Sequence, residues 1–251
     1  MGSLEGRKAL ITGGSSGIGE ATALAMAREG AAVALGARRK ERMDETVSRI
    51  EADGGRAVAI EADIADESQA GSLVEGAAQE LGGLDALVNN AGVMLLGPVE
   101  GADTEDWRRM VGVNVLGLLY CTHAALPIMR EGGGGDVVNV SSTAGRIASF
   151  GAAVYNVTKW GVVALSEALR QEAVQSGSGV RVTCVEPGFV ETELQGHNTN
   201  PMVVEATEKM RDQIGKVLEA DDIARAIVYA VAQPRHVSVN EVLVRPTGQS
   251  R

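Results

Sequence analysis

Positive charge is scarce in this sequence. The 251 residues contain 23 lysines and arginines against 33 aspartates and glutamates, which gives a formal net charge of −10. The longest basic run is Arg38-Arg39-Lys40. Proteins that bind nucleic acids neutralise phosphates with clustered lysine and arginine, so we expect no nucleic-acid partner. An acidic surface mainly favours solubility.

The sequence also has few residues for metal or disulfide chemistry. The two cysteines, Cys121 and Cys184, each lie in an apolar stretch, and the three histidines show no paired-ligand spacing. Two such cysteines predict neither a zinc site nor a disulfide framework. They are typical of buried free thiols. We therefore expect no metal and a cytoplasmic protein.

No segment of the sequence is predicted to cross a membrane. After Met1–Lys8 only three apolar residues precede a threonine, which is too few for a signal peptide. The longest apolar stretch, Val111–Met129, contains Asn114, His123 and Pro127. These three residues favour a buried helix over a transmembrane helix, so we expect no membrane partner.

The sequence does contain a regular alternation of strand-like and helical segments. Helical periodicity marks Glu20–Glu29, Glu41–Ala52 and Glu67–Leu81 between short apolar runs. Several runs are apolar throughout, as in strands that are covered on both faces. The alternation predicts one α/β domain over residues 1–251, with a doubly wound, parallel, seven-stranded sheet of the Rossmann type and helices on both faces. The predicted strands are Ala9–Thr12, Ala32–Leu35, Ala57–Glu61, Ala86–Asn89, Asp136–Val140, Val180–Val185 and Val239–Val244.

A glycine-rich turn follows the first predicted strand and opens a helix. From Thr12 to Gly19 it reads T-G-G-S-S-G-I-G, a spacing different from G-x-G-x-x-G. Glycines allow the backbone to approach a pyrophosphate closely, and the helix N-terminus supplies free N–H donors. The place of this turn in the strand–helix order favours a dinucleotide site over an ordinary connection. The expected cofactor contacts here are Gly13, Ser15, Ser16, Gly17, Ile18 and Gly19.

The residues after the second predicted strand bear on the choice between NAD and NADP. NAD-dependent enzymes place Asp or Glu at this point to bind the ribose hydroxyls, whereas this sequence has Ala37, followed by Arg38 and Arg39. A guanidinium group stays charged and matches the oxygens of a 2′-phosphate. The pattern predicts NADP(H), with Ser15 as a weaker phosphate partner. The alternative is that both arginines only coat a solvated helix start.

A tyrosine and a lysine four residues apart carry the candidate chemistry. Tyr155 and Lys159 share one face of a predicted helix. Hydride transfer to a carbonyl leaves an alkoxide, and the phenol of Tyr155 can supply the proton that the alkoxide needs. An unperturbed tyrosine has a pKa of about 10, and we expect the ammonium group of Lys159 and the positively charged oxidised nicotinamide to lower the pKa of Tyr155. No G-x-S-x-G or H-E-x-x-H motif offers rival chemistry.

Together and in order, these motifs resemble those of the short-chain dehydrogenase/reductase family over essentially the whole chain. Tyr155 to Lys159 match the family's Y-x-x-x-K, and Ser142, 13 residues before the tyrosine, matches its catalytic serine. Asn114 matches the fourth catalytic residue. The resemblance implies that Ser142 binds the substrate oxygen, that Lys159 also holds the nicotinamide ribose, and that Asn114 helps to hold a water in a proton relay. Ser141 should point to the opposite side of its strand.

The same resemblance extends the cofactor site. The sequence N-N-A-G at residues 89–92 matches a family signature, and Asp63 matches an acidic residue that contacts adenine. P-G-F-V-E-T at residues 187–192 matches the family's P-G-x-x-x-T beside the nicotinamide carboxamide and the pyrophosphate. The implied cofactor contacts are Asp63, Asn90, Ala91, Gly92, Pro187, Gly188, Val190 and Thr192.

The substrate end is predicted less sharply. The segment from about 188 to 220 is expected to form a lid, since lids are drawn from mobile structure. Arg146 and His197 are candidates to attract an anionic substrate, with ordinary surface polarity as the alternative. The expected substrate contacts are Met94, Ser142, Thr143, Arg146, Phe189, Leu194 and His197.

The sequence thus predicts an NADP(H)-dependent oxidoreductase that moves hydride between nicotinamide and a carbonyl or alcohol. Gly92–Glu100 and Thr192–His197 are similar to family members that reduce aldehydes in secondary metabolism, and the C-terminal segment is also similar to NADP-dependent 3-hydroxy acid dehydrogenases. Reduction of an aldehyde or ketone is the leading hypothesis. A 3-hydroxy acid dehydrogenase and a non-catalytic dinucleotide sensor are the alternatives. The family resemblance, with apolar helices over Thr104–Met129 and Val154–Gln175, predicts a homotetramer or homodimer.

Overall fold

The computed structural model describes residues 2–198 and 200–250. Met1, Thr199 and Arg251, which belong to the predicted domain, lie outside the described residues. Seven strands form one sheet in the order β3-β2-β1-β4-β5-β6-β7, and every neighbouring pair is parallel. This confirms the predicted doubly wound fold. The strands are β1 (Lys8–Thr12), β2 (Ala32–Ala37), β3 (Ala57–Glu61), β4 (Ala86–Asn89), β5 (Gly135–Val140), β6 (Val180–Pro187) and β7 (Glu241–Val244).

Helices lie between the strands, as the alternation predicts. The third predicted helix has its expected bounds: Asp66 caps it by accepting a hydrogen bond from the Gln69 N–H, and Gly82, in the left-handed region, ends it. The helices are α1 (Gly17–Arg28), α2 (Lys40–Ala52), α3 (Glu67–Leu81), α4 (Thr104–Val111), α5 (Leu118–Glu131), α6 (Ala153–Ser176), α7 (Pro201–Ile214) and α8 (Ala220–Val231), with a π-helical turn (Gly112–Gly117) that joins α4 to α5.

The sheet separates two hydrophobic cores. Leu10 of β1 and its partner Ala34 of β2 face one core, where α3, α5 and α6 pack. The next residues, Ile11 and Leu35, face the other core, which α1, α2 and α8 cover. Because side chains alternate across a strand, apolar residues on both faces explain the continuous apolar runs in the sequence.

The start of β7 differs from its prediction. This strand begins at Glu241, two residues after the predicted Val239. The Val239 carbonyl accepts a hydrogen bond from the Thr183 hydroxyl, 2.7 Å away, and the ladder to β6 starts with the Cys184 N–H and the Asn240 carbonyl. A side-chain bond replaces the first backbone pairing, which apolar periodicity does not reveal.

One stretch, Thr104–Glu131, is long and apolar enough to span a membrane by length and composition alone. Core helices pass the same test, and a third (33%) of its most apolar window is buried in this structure. Cys121, Ala125 and Met129 on α5 are fully buried against the core, whereas Val111 and Leu116 are exposed. The prediction of a buried helix is therefore right for one face of this stretch.

Candidate active site

A cleft of about 340 Å³ opens at the carboxyl ends of the strands, around the point where the strand order reverses between β1 and β4. Ligands of open α/β sheets bind at this place, because the loops after the two strands diverge there. All but one of the predicted cofactor residues line the cleft. They are Gly13, Ser15, Ser16, Gly17, Ile18, Arg38, Arg39, Asp63, Asn90, Ala91, Gly92, Tyr155, Lys159, Pro187, Gly188, Val190 and Thr192.

The glycine turn leaves room for a bound group between itself and the loop after β4. Gly13 has a φ of 67°, and a Cβ there would lie 2.8 Å from the Cα of Ala91. Gly19, which does not line the cleft, would bring a Cβ within 2.3 Å of the Gly13 carbonyl oxygen. Gly19 therefore serves the packing of the turn. Ser16 begins α1 without a side-chain bond to its N–H groups, so the first turn can bind a phosphate. The turn thus fits a dinucleotide.

Thr12 fastens the two cofactor loops together, a role that the sequence did not reveal. This buried threonine accepts hydrogen bonds on Oγ1 from the N–H groups of Asn90 and Ala91, both 3.1 Å away. The side chain of Asn90 returns a bond from Nδ2 to the Thr12 carbonyl at 2.9 Å. The predicted N-A-G contacts therefore rest on the last residue of β1.

The two arginines after β2 have different surroundings. Arg39 donates to the hydroxyls of Ser15 (3.1 and 3.2 Å) and Ser16 (2.8 Å) in the glycine turn, and its Nη1 lies 2.9 Å from a carboxylate oxygen of Glu193. Arg38 lines the cleft and makes no ion pair within the described part of the chain. The geometry thus leaves the Arg38 guanidinium available for a phosphate, while Arg39 bridges the two walls of the cleft.

Tyr155, Lys159 and Ser142 meet at the inner end of the cleft. Tyr155 and Lys159 of α6 are 6% and 5% exposed, and the Ser142 hydroxyl lies near enough to the Tyr155 phenol to lower its pKa. The Lys159 ammonium donates to the Val140 carbonyl at 2.9 Å and lies 5.7 Å from the centre of the Tyr155 ring. The structure therefore brings together three of the four residues predicted to be catalytic.

Burial sets the protonation of this group. It raises the pKa of Tyr155 to about 12, against a smaller lowering by the hydrogen bond with Ser142. It lowers the pKa of Lys159 to about 8. The expected lowering of the Tyr155 pKa by Lys159 is therefore not found in this chain alone, where desolvation raises that pKa and the Lys159 ammonium donates to the Val140 carbonyl. Tyr155 is protonated at neutral pH, as a proton donor must be.

Asn114 lies in the π-helical turn, a form of backbone that often occurs at functional sites. Its Oδ1 accepts from the Val93 N–H at 2.8 Å, and its Nδ2 donates to the Val93 carbonyl (2.9 Å) and to the Thr158 hydroxyl (3.2 Å). In this structure Asn114 therefore ties the loop after β4 to α6 beside Lys159. The water relay implied by the family resemblance stays a prediction.

The loop that carries Ser142 is fastened to α6 by two further side chains. The Ser141 hydroxyl donates to the Lys159 carbonyl at 2.9 Å, and Ser141 also lines the cleft. The buried Asn156 donates to the carbonyls of Ala144 (2.7 Å) and Ile147 (2.8 Å). The sequence analysis missed Asn156. Asparagine is unfavourable inside a helix, the same signal that Asn114 gives.

Only some of the predicted substrate residues reach the cleft. Ser142, Leu194 and His197 line it. Met94 instead packs against the small core that contains Tyr155. Burial and the neighbouring Arg109 lower the pKa of His197, which also borders a second cavity of about 510 Å³. Three others, Thr143, Arg146 and Phe189, are absent from the lining of the cleft.

Arg146 is held by carboxylates of its own chain. It donates to both oxygens of Glu186, which is fully buried, and to Glu241. The hypothesis that Arg146 attracts an anionic substrate therefore needs correction, because its charge is already compensated. The sequence does not bring these residues together, since 40 and 95 positions separate Arg146 from Glu186 and Glu241.

The segment 188–220 borders the cleft with the 3₁₀ turn Glu193–His197, and α7 follows. Its two ends meet where Val190 pairs with Leu218. Asn198 accepts a hydrogen bond from the Leu96 N–H at 2.7 Å, which joins the segment to the loop after β4. The candidate lid therefore has a paired base and polar links to other walls of the cleft through Asn198 and through the ion pair of Glu193 with Arg39.

Both cysteines are free and buried, as expected. Burial raises the pKa of the thiols of Cys121 and Cys184 to about 12, which makes them unreactive at neutral pH. Among residues 2–198 and 200–250, no group of three or more His, Cys, Asp or Glu side chains is arranged to hold a metal ion.

The chain is similar to known dehydrogenases and reductases. The sequence profile described as short chain dehydrogenase matches residues 7–202. A glycine betaine reductase of Emericella nidulans is 42% identical over 246 residues, which are 98% of this chain and 19% of that protein, so the chain spans about a fifth of that relative. An uncharacterized oxidoreductase of Staphylococcus saprophyticus is 37% identical over 100% of both chains. The closed form of serine dehydrogenase complexed with NADP+ matches with a TM-score of 0.87, 31% identity, and 97% and 96% of the two chains covered. The chain belongs to the short-chain dehydrogenase/reductase family.

Proposed function

We propose that this chain is an NADP(H)-dependent oxidoreductase that reduces an aldehyde or ketone. The observation that carries the proposal is the buried Tyr155, near Ser142 and adjacent to Lys159, at the inner end of a cleft that extends to Arg38. A proton donor and a dinucleotide cleft in contact are the two parts that carbonyl reduction needs.

The preference for NADP(H) rests on the end of β2. Ala37 places no carboxylate there, and Arg38 presents an uncompensated guanidinium to the cleft. Charge-assisted bonds from arginine to phosphate are strong and directional. The similar serine dehydrogenase, whose structure contains NADP+, supports the same choice. Arg39 joins the two walls of the cleft through Glu193. It contributes to the 2′-phosphate site only indirectly, by holding the Ser15 hydroxyl.

When bound, NADPH supplies the hydride. Ser142 donates a hydrogen bond to the substrate oxygen and stabilises its developing negative charge. The Tyr155 phenol gives its proton to that oxygen, so the product leaves as an alcohol and the tyrosine becomes a phenolate. The charged form of Lys159 stabilises the phenolate, and Asn114 holds the loop against α6. In the oxidative direction the same residues act in reverse.

The alternatives to the leading activity are a 3-hydroxy acid dehydrogenase and a non-catalytic dinucleotide sensor. A 3-hydroxy acid dehydrogenase is favoured by the likeness to serine dehydrogenase. The glycine betaine reductase relative adds small cationic aldehydes to the substrates worth testing. The proposal also includes an aldehyde of secondary metabolism as substrate. A non-catalytic sensor is disfavoured because a sensor needs no proton donor, whereas Ser142, Tyr155 and Lys159 are all in place.

The proposal also includes the setting of the enzyme. The segment 188–220 acts as a lid, the protein works in the cytoplasm, and it is a homotetramer or homodimer. Exposed apolar side chains on the two long helical stretches support self-association. These side chains are Val111, Leu116, Val157 and Trp160.

The first experiment titrates the chain with NADPH and NADH, followed by the same titration of Arg38→Ala. We expect tight NADPH binding that weakens about 10- to 100-fold in the variant, with NADH binding unchanged, because one charge-assisted phosphate contact contributes roughly 1.5–3 kcal/mol. A preference for NADH in the unaltered chain would refute the 2′-phosphate site.

Turnover is then measured with NADPH on 4-nitrobenzaldehyde, hexanal, betaine aldehyde and ethyl acetoacetate, and with NADP+ on 3-hydroxybutyrate and serine. Faster turnover of the carbonyl compounds supports the reductase. Turnover of only the hydroxy acids favours the alternative, and binding without any turnover favours the sensor.

A further inference from the structure

A buried carboxylate lies behind the nicotinamide side of the cleft. Glu186, the penultimate residue of β6, is fully buried. Both its oxygens accept bonds from Arg146, one from Nε and one from Nη2 at 2.8 Å. Nη2 also pairs with Glu241 of β7. A buried carboxylate is tolerated only when it is paired and hydrogen-bonded, so Arg146 is required for Glu186 to be charged here.

The pair joins two segments that each contribute residues to the lining of the cleft. Ser142 begins the 3₁₀ turn Thr143–Gly145, and Arg146 ends it. Glu186 directly precedes Pro187 and Gly188, which line the cleft where the nicotinamide contacts are expected. A two-bond guanidinium–carboxylate contact fixes orientation as well as distance.

We propose that Arg146 and Glu186 are positioning residues that hold the Ser142 hydroxyl at a fixed distance from the nicotinamide-side turn. The proposal rests on the proposed function, in which Ser142 binds the substrate oxygen. It gives Arg146 a role through Ser142 in place of direct contact with substrate.

The opposite side of the same loop is already fixed. Asn156 bonds the carbonyls of Ala144 and Ile147, and a Cβ on Gly145 would lie 2.8 Å from the Lys159 carbonyl. The loop is thus tied to α6 on one side and to β6 on the other. Loss of Arg146 releases only the second tie, so Tyr155 and Lys159 keep their places while Ser142 shifts relative to the nicotinamide.

The test compares Arg146→Met, Glu186→Gln and the double variant with the unaltered chain. Arg225→Met is the matched control, because Arg225 also pairs with two carboxylates, Asp221 and Asp222, at the surface. The substrate is whichever of 4-nitrobenzaldehyde, hexanal and betaine aldehyde the unaltered chain reduces fastest. NADPH dissociation constants are measured on every variant.

For Arg146→Met we expect kcat to fall about 10- to 100-fold, the range that a misplacement of roughly 1 Å produces, with NADPH affinity within about threefold. Without Arg146 the buried Glu186 carboxylate loses the cation that pairs with it, and an unpaired buried charge is itself destabilising.

The double variant removes both charges and leaves no unpaired buried carboxylate, so it should fold better than Arg146→Met while its kcat stays low, because the tie is still absent. It therefore keeps the test decisive if Arg146→Met alone folds poorly. Variants with unchanged kcat, or with losses that follow only the folded fraction, would overturn the positioning role. Absence of turnover by the unaltered chain counts against the proposed function, whereas normal turnover with insensitive variants counts against this inference alone.

Discussion

The cofactor side and the substrate side of the cleft differ in how they are built. On the cofactor side, most of the predicted contacts come from the segments that follow β1, β2 and β4, and Gly13, Gly17 and Gly92 are among them. On the substrate side, three of the seven predicted contacts, Ser142, Leu194 and His197, line the cleft. The position of a loop that directly follows a strand of a parallel sheet can be predicted from its local sequence. A long side chain such as Arg146 instead pairs with residues of distant strands.

The largest effect should come from the chemistry at the junction of the two sides. Tyr155→Phe removes the proton donor but leaves the ring packed. We expect kcat to fall roughly 10²- to 10⁴-fold, the range of general acid catalysis, with NADPH affinity nearly unchanged. Steady-state kinetics and a binding titration check this, and a full reduction rate in the variant would break the assignment.

Lys159 should give the site its pH limit. Burial lowers the pKa of Lys159 to about 8, so its ammonium is lost as the pH rises through 8, and kcat/KM for reduction should fall by up to about tenfold per pH unit above it. Because the unfolded chain keeps that proton up to higher pH, the unfolding free energy should rise between pH 8 and 10.5, relative to Lys159→Met.

Lys159→Arg provides the control for that limit. Arginine stays charged throughout this range, so the variant, even if slower, should show no decline near pH 8. A decline at the same pH in Lys159→Arg would mean that another group sets the limit.

The smallest effect is expected where the two sides meet at the surface. The ion pair between Arg39 and Glu193 is about half exposed at each side chain, and such pairs contribute about 0–1 kcal/mol. Glu193→Gln should therefore weaken NADPH and NADH equally, by less than about fivefold, and only at low salt. Affinity titrations at two salt concentrations check this. A selective effect on NADPH would place Glu193 in the 2′-phosphate site, which is here assigned to Arg38.

Much of this architecture was predictable because it depends on local patterns. Apolar runs gave the strands of both cores, and the spacing of Tyr155 and Lys159 placed them on one helix face. Asn156 and Thr12 were missed, since each acts by bonding backbone groups of another loop. The shift of the Tyr155 pKa was predicted in the wrong direction, because the degree of burial depends on all the elements around it.

The sequence by itself determined the order of strands and helices, the glycine turn, the absence of a carboxylate at Ala37 and the spacing of the catalytic residues. These features depend on residue type, periodicity and neighbours along the chain. Only the tertiary structure decided which arginine is free, which charge compensates Glu186, and how strongly burial shifts Tyr155 and Lys159. Electrostatic and desolvation energies depend on distances in space, and those distances exist only once the sheet has brought remote segments together.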